Sequence, residues 1–145
     1  MADFVFNIAK GAAAEKVRDS AANLGMLLLK AAAADNTQKD VDDVAALLAG
    51  GATEADFTNY ARKTGLTGTI TVDDTNDRVD VDIPDQTWTS AGGATNNTLT
   101  DLVIYYQESA ADSGRVPLTQ HDFPVTTDGS DLTAQINSAG FFRAS

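Results

Sequence analysis

From residue 69 onward the sequence is a succession of short apolar–polar alternations separated by turn-forming clusters, and this period-2 pattern is the strongest constraint on the fold. Ile70 and Val72 alternate with threonines, and Val79, Val81 and Ile83 alternate with Arg78, Asp80 and Asp82. Successive side chains of a strand point to opposite faces, so each run reads as a half-buried β-strand. The intervening Asp73-Asp74-Thr75-Asn76-Asp77 is turn-rich, and the two runs together predict a hairpin. Pro84 ends the second strand or places it at an edge. Further strands are expected at Gln86 to Ser90 around Trp88, at Leu102 to Tyr106, and at Val116–Leu118, Pro124–Thr127 and Leu132–Ile136. Ala91 to Asn97 and Asp128-Gly129-Ser130 read as loops between them.

The first third of the chain is different. Residues 3–9 alternate Phe4, Phe6 and Ile8 with Asp3, Val5 and Asn7, the pattern of a strand interrupted by Lys10-Gly11. Ala12 to Asn23 is alanine-rich and favours a helix. Leu24 to Ala33 is a continuous apolar run that fits a helix or a buried strand, and periodicity does not decide between them. Residues 38–49 predict a helix. Val41, Val44, Ala45, Leu47 and Leu48 share a face, Asp40, Asp42 and Asp43 load the first turns, and Gly50-Gly51 stops it. Thr53-Glu54-Ala55-Asp56 resembles a further short helix start, with Phe57, Tyr60 and Ala61 on its apolar side. The fold class that follows is mainly β (α+β): a small antiparallel β-sandwich or barrel with one or two helices inserted in the N-terminal third. With 145 residues, 43% of them hydrophobic, and no internal repeat or linker, a single domain spanning 1–145 can bury a core of its own.

Charge and residue inventory exclude several functions. Asp and Glu number 21 against 10 Lys and Arg, a net of -11, which repels nucleic-acid phosphates and anionic lipid surfaces. The absence of cysteine removes thiol nucleophiles, disulfides and thiolate metal sites, and the single His121 cannot form a two-histidine site within one chain. No cofactor or metal is expected. The apolar stretch Leu24 to Ala34 contains Lys30 and is well under the ~20 residues that span a bilayer. Met-Ala-Asp-Phe lacks a basic region, so a secretory signal is not expected. The charge is also uneven. Between residues 73 and 85, Asp73, Asp74, Asp77, Asp80, Asp82 and Asp85 face Arg78 alone, whereas residues 1–30 are slightly basic.

Few residues suggest chemistry. The acidic hairpin offers oxygens that a hard cation prefers, but without the spacing of a calcium loop. Its plainer reading is a solvated charged face that blocks edge-to-edge strand pairing. His121-Asp122 has no Gly-x-Ser-x-Gly turn to act with, and reads as a histidine bonded locally in a loop. There is no phosphate-binding glycine–lysine loop. Asn96-Asn97-Thr98 matches a glycosylation sequon without a secretory context. Phe4, Phe6, Phe57 and Trp88 read as core. Tyr105-Tyr106 and Phe141-Phe142 are adjacent pairs, so one member of each reaches the opposite face of its strand, to be covered by a neighbouring subunit or by a second layer of the same chain.

Three segments carry a resemblance. They are Met1 to Gly11, the stretch Asp73-Asp74-Thr75-Asn76-Asp77-Arg78-Val79-Asp80-Val81-Asp82-Ile83-Pro84 with Trp88, and the ending from Asp128-Gly129-Ser130-Asp131 to Gly140-Phe141-Phe142-Arg143-Ala144-Ser145. Together they resemble a family of short virion structural proteins of tailed bacteriophages, many infecting actinobacteria. The resemblance covers both ends and most of residues 57–145, is weakest over Ala12–Asn36, and carries over no catalytic residue. It implies a non-enzymatic capsid decoration or minor capsid protein on the outside of the head, made in the host cytoplasm before assembly. Its partner would be the major capsid protein, with a homotrimer possible. The expected interface residues are Phe4, Phe6 and Ile8, Tyr105 and Tyr106, and Phe141, Phe142 and Arg143, while the acidic hairpin faces solvent. The alternatives are a head fibre, a connector, or a tail-associated β-sandwich adhesin that reads glycans through Trp88 and the Ala94–Thr98 loop. A small hydrolase using His121 is the remaining, enzymatic, reading.

Overall fold

The computed structural model describes residues 3–6, 23–76 and 78–144. Its centre is the apolar run left open above, which is a strand, β2 (Leu24–Ala31). Leu24 to Leu29 are all buried, so both faces of the strand are covered, and this explains why the run shows no alternation. β2 pairs antiparallel with β8 (Asp101–Gln107), from Leu24 opposite Tyr106 to Leu29 opposite Asp101. β8 in turn pairs with β9 (Arg115–Asp122), and the register shifts between Ile104 and Tyr105, where Pro117 enters the ladder without an N–H. β1 (Phe4–Val5) adds to β9, while β3 (Thr53–Glu54) and β4 (Lys63–Leu66) share the other edge of β2.

The result is a six-stranded sheet that does not close into a barrel. Two smaller antiparallel sheets accompany it. One pairs β7 (Gln86–Trp88) with β10 (Leu132–Ala134). The other has the order β11 (Phe142–Ala144), β6 (Arg78–Asp82), β5 (Thr69–Asp73). The mainly β, α+β class is therefore the observed one, with two short helices, α1 (Asp35–Gln38) and α2 (Val44–Ala49).

Local expectations met tertiary competition at several points. The helix predicted over 38–49 begins only at Val44, because Asp43 is its N-cap and accepts from the Ala46 N–H at 2.7 Å. Asp40 and Asp42 precede the helix rather than load its first turn. The short helix start at Thr53–Asp56 is instead β3. The free edge of β2 captures it, and the Ala55 N–H continues the pairing to the Leu28 carbonyl at 2.9 Å. Pro124–Thr127 forms no strand, only an isolated bridge between Thr98 and Thr126. The helix expected from Ala12 falls outside the described residues, apart from Asn23, which is not helical.

The core joins these layers. Leu27, Leu28, Val103, Ile104 and Leu47 are fully buried, and Trp88 and Phe57 nearly so. Most polar groups that reach it are partnered, although Asp101 Oδ2 is buried without a hydrogen bond. Trp88 Nε1 donates to the Ala61 carbonyl at 2.8 Å, and Gln120 Nε2 donates to Asp101 Oδ1 at 2.9 Å. Arg62 fastens the β3 edge to the 3₁₀ turn at Asp112–Gly114, pairing with both Glu54 and Asp112.

Candidate partner interface

The expected interface residues separate into buried and accessible groups. Phe6 is fully buried. Phe4 pairs through its backbone with Gln120, and Ile8 lies outside the described residues. Tyr105 is fully buried as well. Its ring lies so close to Gly25 that a Cβ there would stand 2.5 Å from the phenol oxygen, and the hydroxyl donates to the Lys63 carbonyl at 3.3 Å. The Arg115 guanidinium sits 5.7 Å from the centre of the ring, and burial raises the phenol's pKa above its ordinary value. Tyr106 is half-buried against the core. Because β8 is a central strand, the tyrosine pair is packed within this chain, Tyr105 fully and Tyr106 in part.

The C-terminal set is more accessible. Gly140, at φ +85°, turns the chain so that the Phe141 N–H donates to the Val81 carbonyl at 2.9 Å and Phe141 enters the core. β11 then runs along β6, with Phe142 opposite Val81, Arg143 opposite Asp80 and Ala144 opposite Val79. Phe142 is half-buried. Arg143 is exposed, and its Nε donates to Asp80 Oδ1 at 2.5 Å.

The alternation read from the sequence gives this three-stranded sheet two unlike faces. Ile70, Val72, Val79, Val81, Phe142 and Ala144 share one face by register, and Asp73, Arg78, Asp80, Asp82 and Arg143 share the other. On the charged face the carboxylates are engaged. Asp80 lies between Arg143 and Arg78, and the Arg143 hydrogen bond holds its carboxyl below the usual range. Asp73 is held low chiefly by the Asn76 side-chain amide, with Arg78 3.0 Å away. Asp82 Oδ1 accepts from the Ile83 N–H at 2.9 Å. Both oxygens of Asp73 and of Asp80, and one of Asp82, thus accept from the chain's own donors. Among the described residues no group of three or more His, Asp or Glu side chains is placed to hold a metal ion.

On the apolar face the burial is graded. Val81 is buried and Val79 half-buried, but Ile70 is 38% and Val72 64% exposed. Among the described residues, these two are the only large apolar side chains that are exposed. Sequence reasoning placed them on a strand without marking them as surface. Alternation tells which residues share a face, not whether anything covers that face.

The hairpin's charges also sit where the sequence did not suggest. Asp80 and Asp82 lie on β6, the central strand of the three, so they do not guard an edge. The edges are β11 and β5, and β5, Thr-Ile-Thr-Val-Asp, carries a single charge at its end.

The residues suggested for other chemistry are tied down. Trp88 is 2% exposed beneath Lys63, whose Nζ lies 4.9 Å from the ring centre, so it offers no stacking platform for a sugar. His121 Nε2 lies 3.0 Å from Thr119 Oγ1 and its Nδ1 3.4 Å from Asp3 Oδ2. A cavity of about 190 Å³ beside it is lined by Phe123, Ile136 and Phe141 among others. No helix among the described residues is long and apolar enough to cross a membrane. No family model, curated protein or solved structure matches the chain.

Proposed function

We propose that this chain is a non-enzymatic structural protein of a tailed-phage virion, a capsid decoration (minor capsid) protein. In this reading it binds the outer head surface and reinforces contacts between major capsid subunits. The resemblance of its two ends and acidic hairpin to short virion proteins supplies the context. The observation that carries the mechanism is the amphipathic β11-β6-β5 sheet, which leaves Ile70 and Val72 uncovered. Exposed apolar side chains next to a charged face suit a protein that works by lying against other proteins. The major capsid protein is the partner in this reading. The half-buried Phe142 and exposed Arg143 are the accessible members of the contact set, and the acidic turn at Asp73–Asn76 faces solvent.

The test is densitometry of purified virions, together with binding of the purified chain to heads that lack it. The expected result is a copy number in fixed proportion to the major capsid protein and saturable binding to bare heads. A copy number matching one vertex or the tail, or absence from the particle, refutes the decoration role.

A further inference from the structure

We propose that β5 is a self-association edge, through which two copies of the chain pair antiparallel about Thr71 and join their three-stranded sheets into one. β5 ends the β11-β6-β5 order, and among the described residues no strand lies on its outer side. A strand edge presents a row of unpaired N–H and C=O groups, and proteins that keep such an edge single guard it with lysine, proline or inward-pointing charge. Thr69–Asp73 has no lysine or proline, and its one charge, Asp73, lies at the end of the strand beside Arg78. It is built from β-branched residues, and its two apolar side chains are 38% and 64% exposed.

The occupant is named by the sequence of the edge itself. Pairing about Thr71 sets Ile70 opposite Val72 of the second copy, Thr69 opposite Asp73, and Thr71 opposite its own counterpart. Every cross-strand pair is then apolar–apolar, hydroxyl–hydroxyl or hydroxyl–carboxylate, and no like charges meet. Pairing about Ile70 would set Val72 against Gly68, and pairing about Val72 would set Ile70 against Asp74. Only the Thr71 register matches both apolar positions.

The charges nearest the seam are compatible with this occupant. Antiparallel pairing sends the two acidic turns to opposite ends of the joined sheet, about 14 Å apart over four residues and beyond the ~8 Å screening length at physiological salt. Asp73 keeps Arg78 3.0 Å away in its own copy. An edge of five residues gives modest affinity in solution, strengthened where copies are held side by side at high local concentration. The inference does not depend on where in a virion the chain resides.

The chain has no cysteine, so Thr71→Cys introduces a unique thiol at an exposed position. Residues directly opposite in an antiparallel pair have Cα atoms about 4.5–5.5 Å apart, within the range of a disulfide. Mild oxidation of purified Thr71→Cys is expected to give a disulfide-linked dimer on the order of tenfold faster than Thr69→Cys, whose counterpart lies ~14 Å away in this register. Adding Val72→Lys to Thr71→Cys, at a site exposed enough to leave the fold intact by circular dichroism, is expected to abolish the advantage. Equal rates for the two cysteine variants overturn the proposal. So does a Thr71→Cys dimer indifferent to Val72→Lys, or a Thr71→Cys thiol that stays monomeric alone and links only to another protein in particles. Absence of the chain from purified heads would remove the decoration role and leave the cross-linking result standing.

Discussion

Substituting Gly140 by alanine should loosen the C-terminal strand by an amount that can be divided into two causes. Gly140 has φ +85°, a conformation that costs an L-residue roughly 1–2 kcal/mol. A Cβ there would also overlap the Val81 carbonyl oxygen and stand 2.8 Å from its carbon, and backbone cannot swing aside as a side-chain tip can. Forcing such a contact typically costs a further 1–3 kcal/mol. Gly65 separates the two causes, because it has φ +65° and a Cβ there would meet nothing within 4 Å. Gly65→Ala therefore carries the conformational cost alone, and Gly140→Ala carries both. At about 2–4 °C per kcal/mol for a domain of this size, Gly140→Ala should melt roughly 5 °C below Gly65→Ala. Because the clash lies where Phe141 enters the core, amide exchange should quicken first at Phe142–Ala144 and along β6, while β2 and β8 stay protected. Differential scanning calorimetry and hydrogen exchange read both effects. Equal melting temperatures for the two variants, or exchange that quickens uniformly, would refute the reasoning.

Two further outcomes follow from partners described above. Tyr60→Phe removes the hydroxyl that donates to Glu54 Oε1 at 2.7 Å and accepts from the Leu28 N–H at 3.2 Å, so urea denaturation should show a loss of about 1–3 kcal/mol with an unchanged slope. Acid should weaken the protein through Asp112, whose carboxyl is held low chiefly by the Arg62 hydrogen bond. Its folded pKa lies below its unfolded value, so its stabilisation is fully present above pH ~4 and is lost as pH falls from there toward the folded pKa. Melting curves between pH 7 and pH 2 should therefore show no change from this group down to about pH 4 and a drop below it, with a smaller drop in Asp112→Asn.

The parts of the fold that were legible in the sequence are those fixed by local chemistry. The β5–β6 hairpin follows from two alternating runs and an Asp-rich turn, and β8 from an unbroken apolar run. What was illegible depends on who covers whom. The Leu24–Leu29 run becomes a strand because β8 lies on one side and β3 and β4 on the other. Thr53–Glu54 has a helix-start composition, yet the vacant edge of β2 offers it backbone partners at once. Tyr105 and Phe6 carry the aromatic signature of an interface, but the chain itself buries them. Ile70 and Val72 have an ordinary buried-face pattern and are left uncovered. In each case the deciding partner is distant in sequence, so no local window contains it.

The pairing of Leu24 with Tyr106 also sets the order in which the chain can mature on the ribosome. At roughly 5–20 residues per second, the eighty-odd residues between those two positions take about 4–16 s to synthesise. Throughout that interval β2, six consecutive buried residues in the finished protein, has no β8 to pair with. The later strands β9, β10 and β11 emerge after it. Folding is thereby postponed until most of the chain is made, and its rate is set by closing long loops rather than by local hairpins.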